Sequence, residues 1–215
     1  MTPAPDAGRP SSLRMRTPAI VLALAILCAS SAFAQGIGKG VRGGLNVATT
    51  TTSGDNGDAA PDWLLRGVVG GFIVWPVTSW LVLQPEVLYA MKGAKQEEFG
   101  LESKLLLDYI EVPVLARVSR GSPGTRTWYL TAGPAFGWLA RAKARADFGG
   151  ATEEIDLKDD VKSYDIGLAA GGGVEFGSIL VDARYTHGLS DIDKDTSDDV
   201  KVRNRAVSLT VGFRF

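Results

Sequence analysis

Cysteine is all but missing from this chain. Cys28 is the only one in 215 residues, and it falls inside an N-terminal apolar run. Without that run there can be no disulfide framework and no thiolate metal site. Histidine is as scarce, with His187 alone. Net charge is small as well: 23 Lys plus Arg stand against 24 Asp plus Glu, a formal charge of −1. That removes the electrostatic case for nucleic acid or another polyanion as partner. P-loop, dinucleotide fingerprint, zinc spacing and catalytic-triad patterns are all lacking, so neither a cofactor nor an enzymatic activity is expected. From Gly36 onward no helical period lasts more than a turn or two.

What the chain does have is 45% hydrophobic and 22% charged residues, which is not a disordered composition. It also has 26 glycines, outside any low-complexity tract, which suggests bends, bulges and tight turns. Arg9, Arg14 and Arg16 precede the apolar run from Ala19 to Leu27, and Ala32-Phe33-Ala34 follows it. This is the order of a secretory signal peptide, too short to span as a helix. Residues 1–34 are therefore expected to be a cleaved leader, with Met1 or Met15 as its start, and residues 35–215 the working domain. A lipoprotein signal would need a small residue before Cys28, where Leu27 stands.

Period-two alternation recurs over stretches of about ten residues, the length a tilted strand needs to cross a bilayer. At the C-terminus Val207, Leu209, Val211, Phe213 and Phe215 share one face, against Ala206, Ser208, Thr210, Gly212 and Arg214. Tyr164 to Phe176 and the stretch from Ile179 repeat the pattern, as do Trp80 to Met91, Leu105 to Ser119 and Trp128 to Arg141. Two more strands fit near Gly40 to Thr49 and Leu65 to Trp75, the faces of the latter being ambiguous. Pro85, Pro113 and Pro134 cannot donate to a ladder, so bulges are expected near them. The reading is an all-β protein: a closed antiparallel up-and-down transmembrane β-barrel of about eight strands. Closure is required because an open sheet edge in lipid would leave backbone groups unpaired.

The links alternate in length. Pro76 to Ser79, Arg120 to Arg126 and Gly177-Ser178 are short; Thr50 to Leu64, Gly93 to Lys104, Ala142 to Lys162 and Gly188 to Asn204 are long and polar. Short periplasmic turns and long extracellular loops are therefore expected. Trp128, Phe176 and Phe215 lie near the short turns, and Tyr89, Trp138, Tyr164 and Tyr185 toward the long loops, as two interfacial girdles would.

Alternation puts Glu86, Glu111, Glu175 and Asp182 on the inward face, together with Arg117, Arg141, Arg184 and Arg214. The lumen of a small barrel is narrow and largely filled, so these charges are expected to pair in a network that ties strands together. His187 and Ser190 have opposite strand parity and are not expected to act as a catalytic pair. Asp191, Asp193, Asp195, Asp198 and Asp199 resemble a cation-binding run. An EF-hand would want glycine and glutamate where Thr196 and Val202 stand, so a solvated loop is expected, with weak calcium binding as the alternative.

Several stretches together resemble the PorT-like family of outer-membrane β-barrel proteins. They are Gly40-Val41-Arg42-Gly43-Gly44-Leu45-Asn46, Leu83-Gln84-Pro85-Glu86-Val87-Leu88-Tyr89 before Lys92-Gly93, and Tyr109-Ile110-Glu111-Val112-Pro113. Gly133-Pro134, Arg184-Tyr185-Thr186-His187-Gly188-Leu189 and the closing Phe213-Arg214-Phe215 complete the set. The resemblance implies the fold and an outer-membrane location, not an activity. Val211, Phe213 and Phe215 also resemble the C-terminal signal read by the barrel-assembly machinery. Partners expected on this reading are outer-membrane lipids, the assembly machinery and an unidentified external partner. The functional expectation is a structural or interaction barrel with a filled lumen. A narrow solute pore, or a soluble lipocalin-like barrel with its apolar face inward, are the alternatives.

Overall fold

A computed structural model describes residues 36–53, 61–98, 101–121, 126–148, 151–194 and 201–215. The expected leader lies outside them, as do Asp195, Asp198 and Asp199. Nine strands run in chain order: β1 (Gly38–Ser53), β2 (Asp62–Pro76), β3 (Leu81–Glu98), β4 (Leu101–Gly121), β5 (Thr127–Phe148), β6 (Ala151–Asp156), β7 (Tyr164–Phe176), β8 (Ile179–Gly188) and β9 (Lys201–Arg214). All pairings are antiparallel. Eight strands form the wall, and β9 closes on β1 in unbroken register from Gly40 opposite Arg214 to Ser53 opposite Lys201. β6 stands outside the wall, paired only with the far end of β5.

Closure and alternation together give every strand a lumenal and an outer face. On β8, Ile179, Val181, Ala183 and Tyr185 point out, and Leu180, Asp182, Arg184 and Thr186 point in. β9 continues the outer band with Val207, Leu209, Val211 and Phe213. On β2 both faces are apolar, with Leu65, Val69, Ile73 and Trp75 outside and Leu64, Val68, Phe72 and Val74 inside. This is why its polarity was ambiguous from sequence. The apolar band faces outward and the charges inward, which overturns the lipocalin-like alternative. Trp75, Trp80, Trp128, Phe176 and Phe215 lie exposed toward the short turns; Trp63, Trp138, Tyr164 and Tyr185 do so toward the long links. Tyr89 shares their outward parity, in register through Ile110 with Trp138; it is half exposed and its hydroxyl donates to Asp108.

Three local expectations are corrected. The prolines need no bulge. Cα partners pass from Pro85–Val114 to Leu88–Glu111, and from Pro113–Ala135 to Ala116–Ala132, without a shift. The bulges lie elsewhere, between Trp63 and Val68 on β2 and at Ala140 on β5, where Asp108–Arg141 is followed by Tyr109–Leu139. Because side chains alternate with period two, the extra residue flips the face of all that follows. Arg141, expected inside, is therefore outside and exposed. Finally, residues 93–98 and 101–104, and residues 142–148 and 151–156, are not loops but paired strands that extend the hairpins, with Ala94 opposite Leu105 and Ala144 opposite Ile155. Gly177 makes the two-residue turn between β7 and β8 with a φ of 60°, which primed hairpin turns require.

Glycine has a second use besides turns. A Cβ on Gly173 would lie 2.5 Å from the Tyr129 hydroxyl, and one on Gly40 would lie 2.4 Å from the Phe72 ring. These lumenal glycines make room for bulky neighbours in a narrow barrel.

Candidate functional site

Inward parity on different strands carries charges to the same height in the lumen. On the side of the short turns, Glu175 of β7 accepts from Arg117 of β4 at 2.5 Å and pairs with Arg214 of β9. Arg117 also donates to the Gln84 side-chain Oε1 at 3.3 Å, and Gln84 Nε2 donates to Glu86 at 2.7 Å. Glu86 in turn receives both Nη atoms of Arg184, at 2.9 and 3.1 Å. Arg42 of β1 spans Glu86 at 3.4 Å and Asp182 at 3.3 Å, and Arg184 touches Asp182 at 3.4 Å. This chain of contacts joins β1, β3, β4, β7, β8 and β9.

A second group sits nearer the long links. Lys92 of β3 pairs with Glu111 of β4 at 2.5 Å and lies 3.7 Å from Asp165 of β7. Asp165 also accepts from Asn204 of β9 at 2.8 Å and from Ser190 at 2.9 Å. Together the two groups hold Arg42, Lys92, Arg117, Arg184 and Arg214 against Glu86, Glu111, Asp165, Glu175 and Asp182, five cations to five carboxylates. Such neutrality matters, since an unpaired charge in a desolvated lumen is very costly. Three of the cations also lie over aromatic rings: Arg117 over Tyr129 at 3.9 Å, Arg42 over Phe72 at 5.0 Å and Lys92 over Tyr109 at 5.4 Å.

Apolar clusters stand at both ends. Phe72, Val74, Tyr129 and Leu180, with Val82, pack toward the short turns. Leu107, Tyr109, Leu139, Ala142, Val161 and Ile192 pack at the other mouth. Two outer connections are drawn over that mouth by backbone bonds from Lys162 to Ile192 and from Leu139 to Ser163, and by the bridge of Val161 with Asp193. Asp191 secures the cover, accepting from Lys162 Nζ at 2.7 Å, the Val202 amide at 3.0 Å and the Asp193 amide at 3.3 Å. These bonds outweigh its partial burial and hold its carboxyl below the usual carboxylate range.

The wall itself is repaired at the β2 bulge. Where the ladder to β3 loses register, Asn46 donates to the Met91 carbonyl at 2.8 Å and Arg66 to the Lys92 carbonyl at 3.0 Å. Arg66 also binds Asp108 at 2.7 Å. Side chains here take the carbonyls that the bulge frees, as buried backbone groups demand.

Residues 33–194 match the family described as outer membrane protein beta-barrel domain. The chain belongs to that family, and its place is the outer membrane. The match ends before β9, the strand that closes this outer-membrane barrel on β1. No curated protein matches the sequence. Among solved structures the chain is similar to Neisserial surface protein A, with 18% identity, covering 84% of this chain and 100% of that one at a TM-score of 0.44. It is similar to the attachment invasion locus protein Ail of Yersinia pestis, with 16% identity, 83% and 99% coverage and a TM-score of 0.39. A third is OprG of Pseudomonas aeruginosa, with 11% identity, 84% and 96% coverage and a TM-score of 0.41. The outer membrane enzyme PagL is a further match, at 11% identity with 78% and 98% coverage and a TM-score of 0.35.

Of the residues singled out by alternation, Glu86, Arg117, Glu175, Asp182, Arg184 and Arg214 meet in the first group of this outer-membrane barrel, whereas Glu111 belongs to the second. Arg42, Lys92 and Asn204 were missed. The signals were present: Arg42 shares parity with Gly40 and Gly44, and Lys92 extends the run Gln84, Glu86, Leu88, Ala90. Asp165 stood on the correct face without being singled out. Val211, Phe213 and Phe215 all face outward and exposed, with the Phe215 amide bonded to the Lys39 carbonyl at 2.9 Å. His187 lies 3.3 Å from the Tyr185 hydroxyl, while Ser190 is engaged by Asp165. The two do not meet. Among the described residues no acidic or histidine cluster suited to a metal is present.

Proposed function

We propose that this protein is a non-conducting outer-membrane barrel whose work is done by its surfaces, with a lumen that serves to hold the wall together. The observation that carries this reading is the lumenal chain of contacts from Arg214 to Asp182, with apolar clusters packed beyond it at both ends. A conducting path needs polar groups that release their partners to a passing solute; here Glu86 is engaged by Arg42, Arg184 and Gln84 at once. Purified protein added to planar lipid bilayers should give no stepwise conductance. Discrete steps that survive high salt would instead establish the narrow-pore reading.

Within the family we assign the chain to the PorT-like branch, on the strength of the Gly40 to Asn46, Leu83 to Tyr89 and Tyr109 to Pro113 stretches. No catalytic activity is part of this proposal: the sole histidine contacts Tyr185, and Ser190 is tied to the wall. We read Val211, Phe213 and Phe215 as the segment presented to the barrel-assembly machinery, supported by their outward exposure at the last strand. Deleting Phe215 should then slow insertion in cells. Insertion at the normal rate would count against the reading. Residues 1–34 are proposed as the leader that delivers the chain to that machinery.

A further inference from the structure

The wall of this barrel has no open edge, but the sheet that rises from it does. β6 pairs with β5 alone, and among the described residues no strand lies along its other side. It stands in water, not in lipid. Trp138 marks the outer girdle on β5, and the first β5 residue opposite β6 is Lys143, about 16 Å further along the strand. The backbone of β6 has a defined phase. The Leu157 amide bonds the Ala142 carbonyl at 3.1 Å. Antiparallel ladders alternate bonded and non-bonded pairs, so Ile155 and Glu153, opposite Ala144 and Ala146, turn their amides and carbonyls toward β5. Those of Glu154 and Asp156 point the other way, along the open edge.

Side chains give the edge two different faces. Cross-strand register sets Ala94, Leu105, Ala144 and Ile155 in one row. The row lines a cleft of about 420 Å³ that Thr50 and Pro61 also border. It breaks off at Ile155, which is 61% exposed with no strand beyond it. Glu153 shares the face of Ile155, Glu154 and Asp156 hold the opposite one, and all three carboxylates are exposed. β6 carries no cation. Such an edge rejects its own kind: a second β6 laid beside it would set carboxylate against carboxylate. It favours a strand of opposite charge. Lys143 already shows the match, reaching across from β5 to Glu154 at 2.6 Å.

We propose that β6 accepts an extended basic segment of an external polypeptide as an added strand; this deepens, and rests on, the surface role proposed above. The backbone of the segment bonds the outward amides and carbonyls of Glu154 and Asp156. Its apolar side chains continue the row beyond Ile155, and its cations, alternating with them, meet Glu154 and Asp156 on the other face. Main-chain bonds supply affinity in such an arrangement, and the alternation of side chains supplies selection.

The test uses the full barrel in lipid nanodiscs and three synthetic peptides as long as β6: alternating Lys-Val, alternating Glu-Val, and a block peptide with the same lysines and valines unmixed. Fluorescence anisotropy reads binding, and NMR reads amide hydrogen exchange. Wild-type protein should bind alternating Lys-Val at least about tenfold more tightly than either other peptide. That peptide should protect the amides of Glu154 and Asp156, while those of Glu153 and Ile155, already bonded to β5, change little. Glu154→Pro removes one outward donor without touching the β5 ladder, a position where a strand tolerates proline. It should weaken binding about tenfold while keeping a heat-modifiable band on gels; Glu154→Gln keeps the donor and should lose less. Binding of the Glu-Val or the block peptide as tight as that of Lys-Val would overturn the proposal. So would tight binding that leaves the Glu154 and Asp156 amides exchanging as before. Both results need only the wild-type chain, so they decide the matter even if the proline variant fails to fold. Neither alters the conductance result, which keeps failure here distinct from failure of the non-conducting reading.

Discussion

The half of the barrel nearer the short turns and the half nearer the long links obey different rules. In the first, β7, β8 and β9 alternate faces with hardly a fault, and their register runs unshifted to the turn. In the second, two bulges interrupt β2 and β5, Asp108 is buried on the outer side, and hairpins continue past the apolar band. The difference teaches what enforces alternation. Lipid on one side and a crowded lumen on the other penalise any misplaced side chain. Once the strands leave that sandwich both faces meet water or each other, and polar groups can close the defects, as Asn46 and Arg66 do.

The comparison can be broken most sharply at Glu86. Glu86→Ala removes the carboxylate shared by Arg42 and Arg184 and leaves two buried guanidiniums short of a partner. A loss of about 3–5 kcal/mol is expected, as for other severed buried pairs. Reversible urea unfolding in vesicles would measure it, and a loss no greater than that of Glu154→Gln in the outer hairpin would refute the contrast. Leu209→Arg attacks the outer face instead. Its cost should be about 2–4 kcal/mol if Leu209 lies near the bilayer midplane, falling toward zero near an interface, and the same titration reads it. Gly173→Ala is expected to cost about 1–3 kcal/mol through overpacking, since its Cβ would lie 2.3 Å from the Val181 carbonyl oxygen and 2.5 Å from the Tyr129 hydroxyl.

The smallest effect belongs to the cover. The carboxyl of Asp191 lies below its unfolded value, about 3.9, so its contribution is complete above that value and is lost as pH falls through the folded one. Because Lys162 and Asp191 are partly exposed, the contribution should stay within about 1 kcal/mol. Hydrogen exchange at the Val202 amide, on the intrinsic rate-corrected scale, should therefore quicken relative to the amide of Val181 in the wall between about pH 5 and about pH 2, the change falling below the unfolded carboxylate value of about 3.9. Equal protection at both pH values would show that Asp191 does not secure the connection.

Much of this is legible in the sequence. The apolar outer faces of β8 and β9 and the inward positions of Glu86, Arg117, Glu175, Asp182 and Arg184 follow from period two alone. Arg141 was misplaced because a single extra residue, Ala140, inverts parity and leaves no mark in composition. The outer hairpins read as loops because Lys95 to Glu97 is polar on both faces, and the alternation from Ala142 to Asp147 sets only alanines against its charges, too little apolar bulk to mark a buried face.

By itself, then, the sequence determined that strands would form, which side of most of them would meet lipid, and that charge would be carried inward. Which charge meets which was decided only by the closed barrel. Arg42 and Asp182 are 140 residues apart, and Arg184 and Glu86 are 98 apart. Their encounters depend on register summed around the wall and on closure of β9 against β1. Alternation is a local property, set by each residue's two neighbours, whereas pairing across a lumen is a property of the whole circumference.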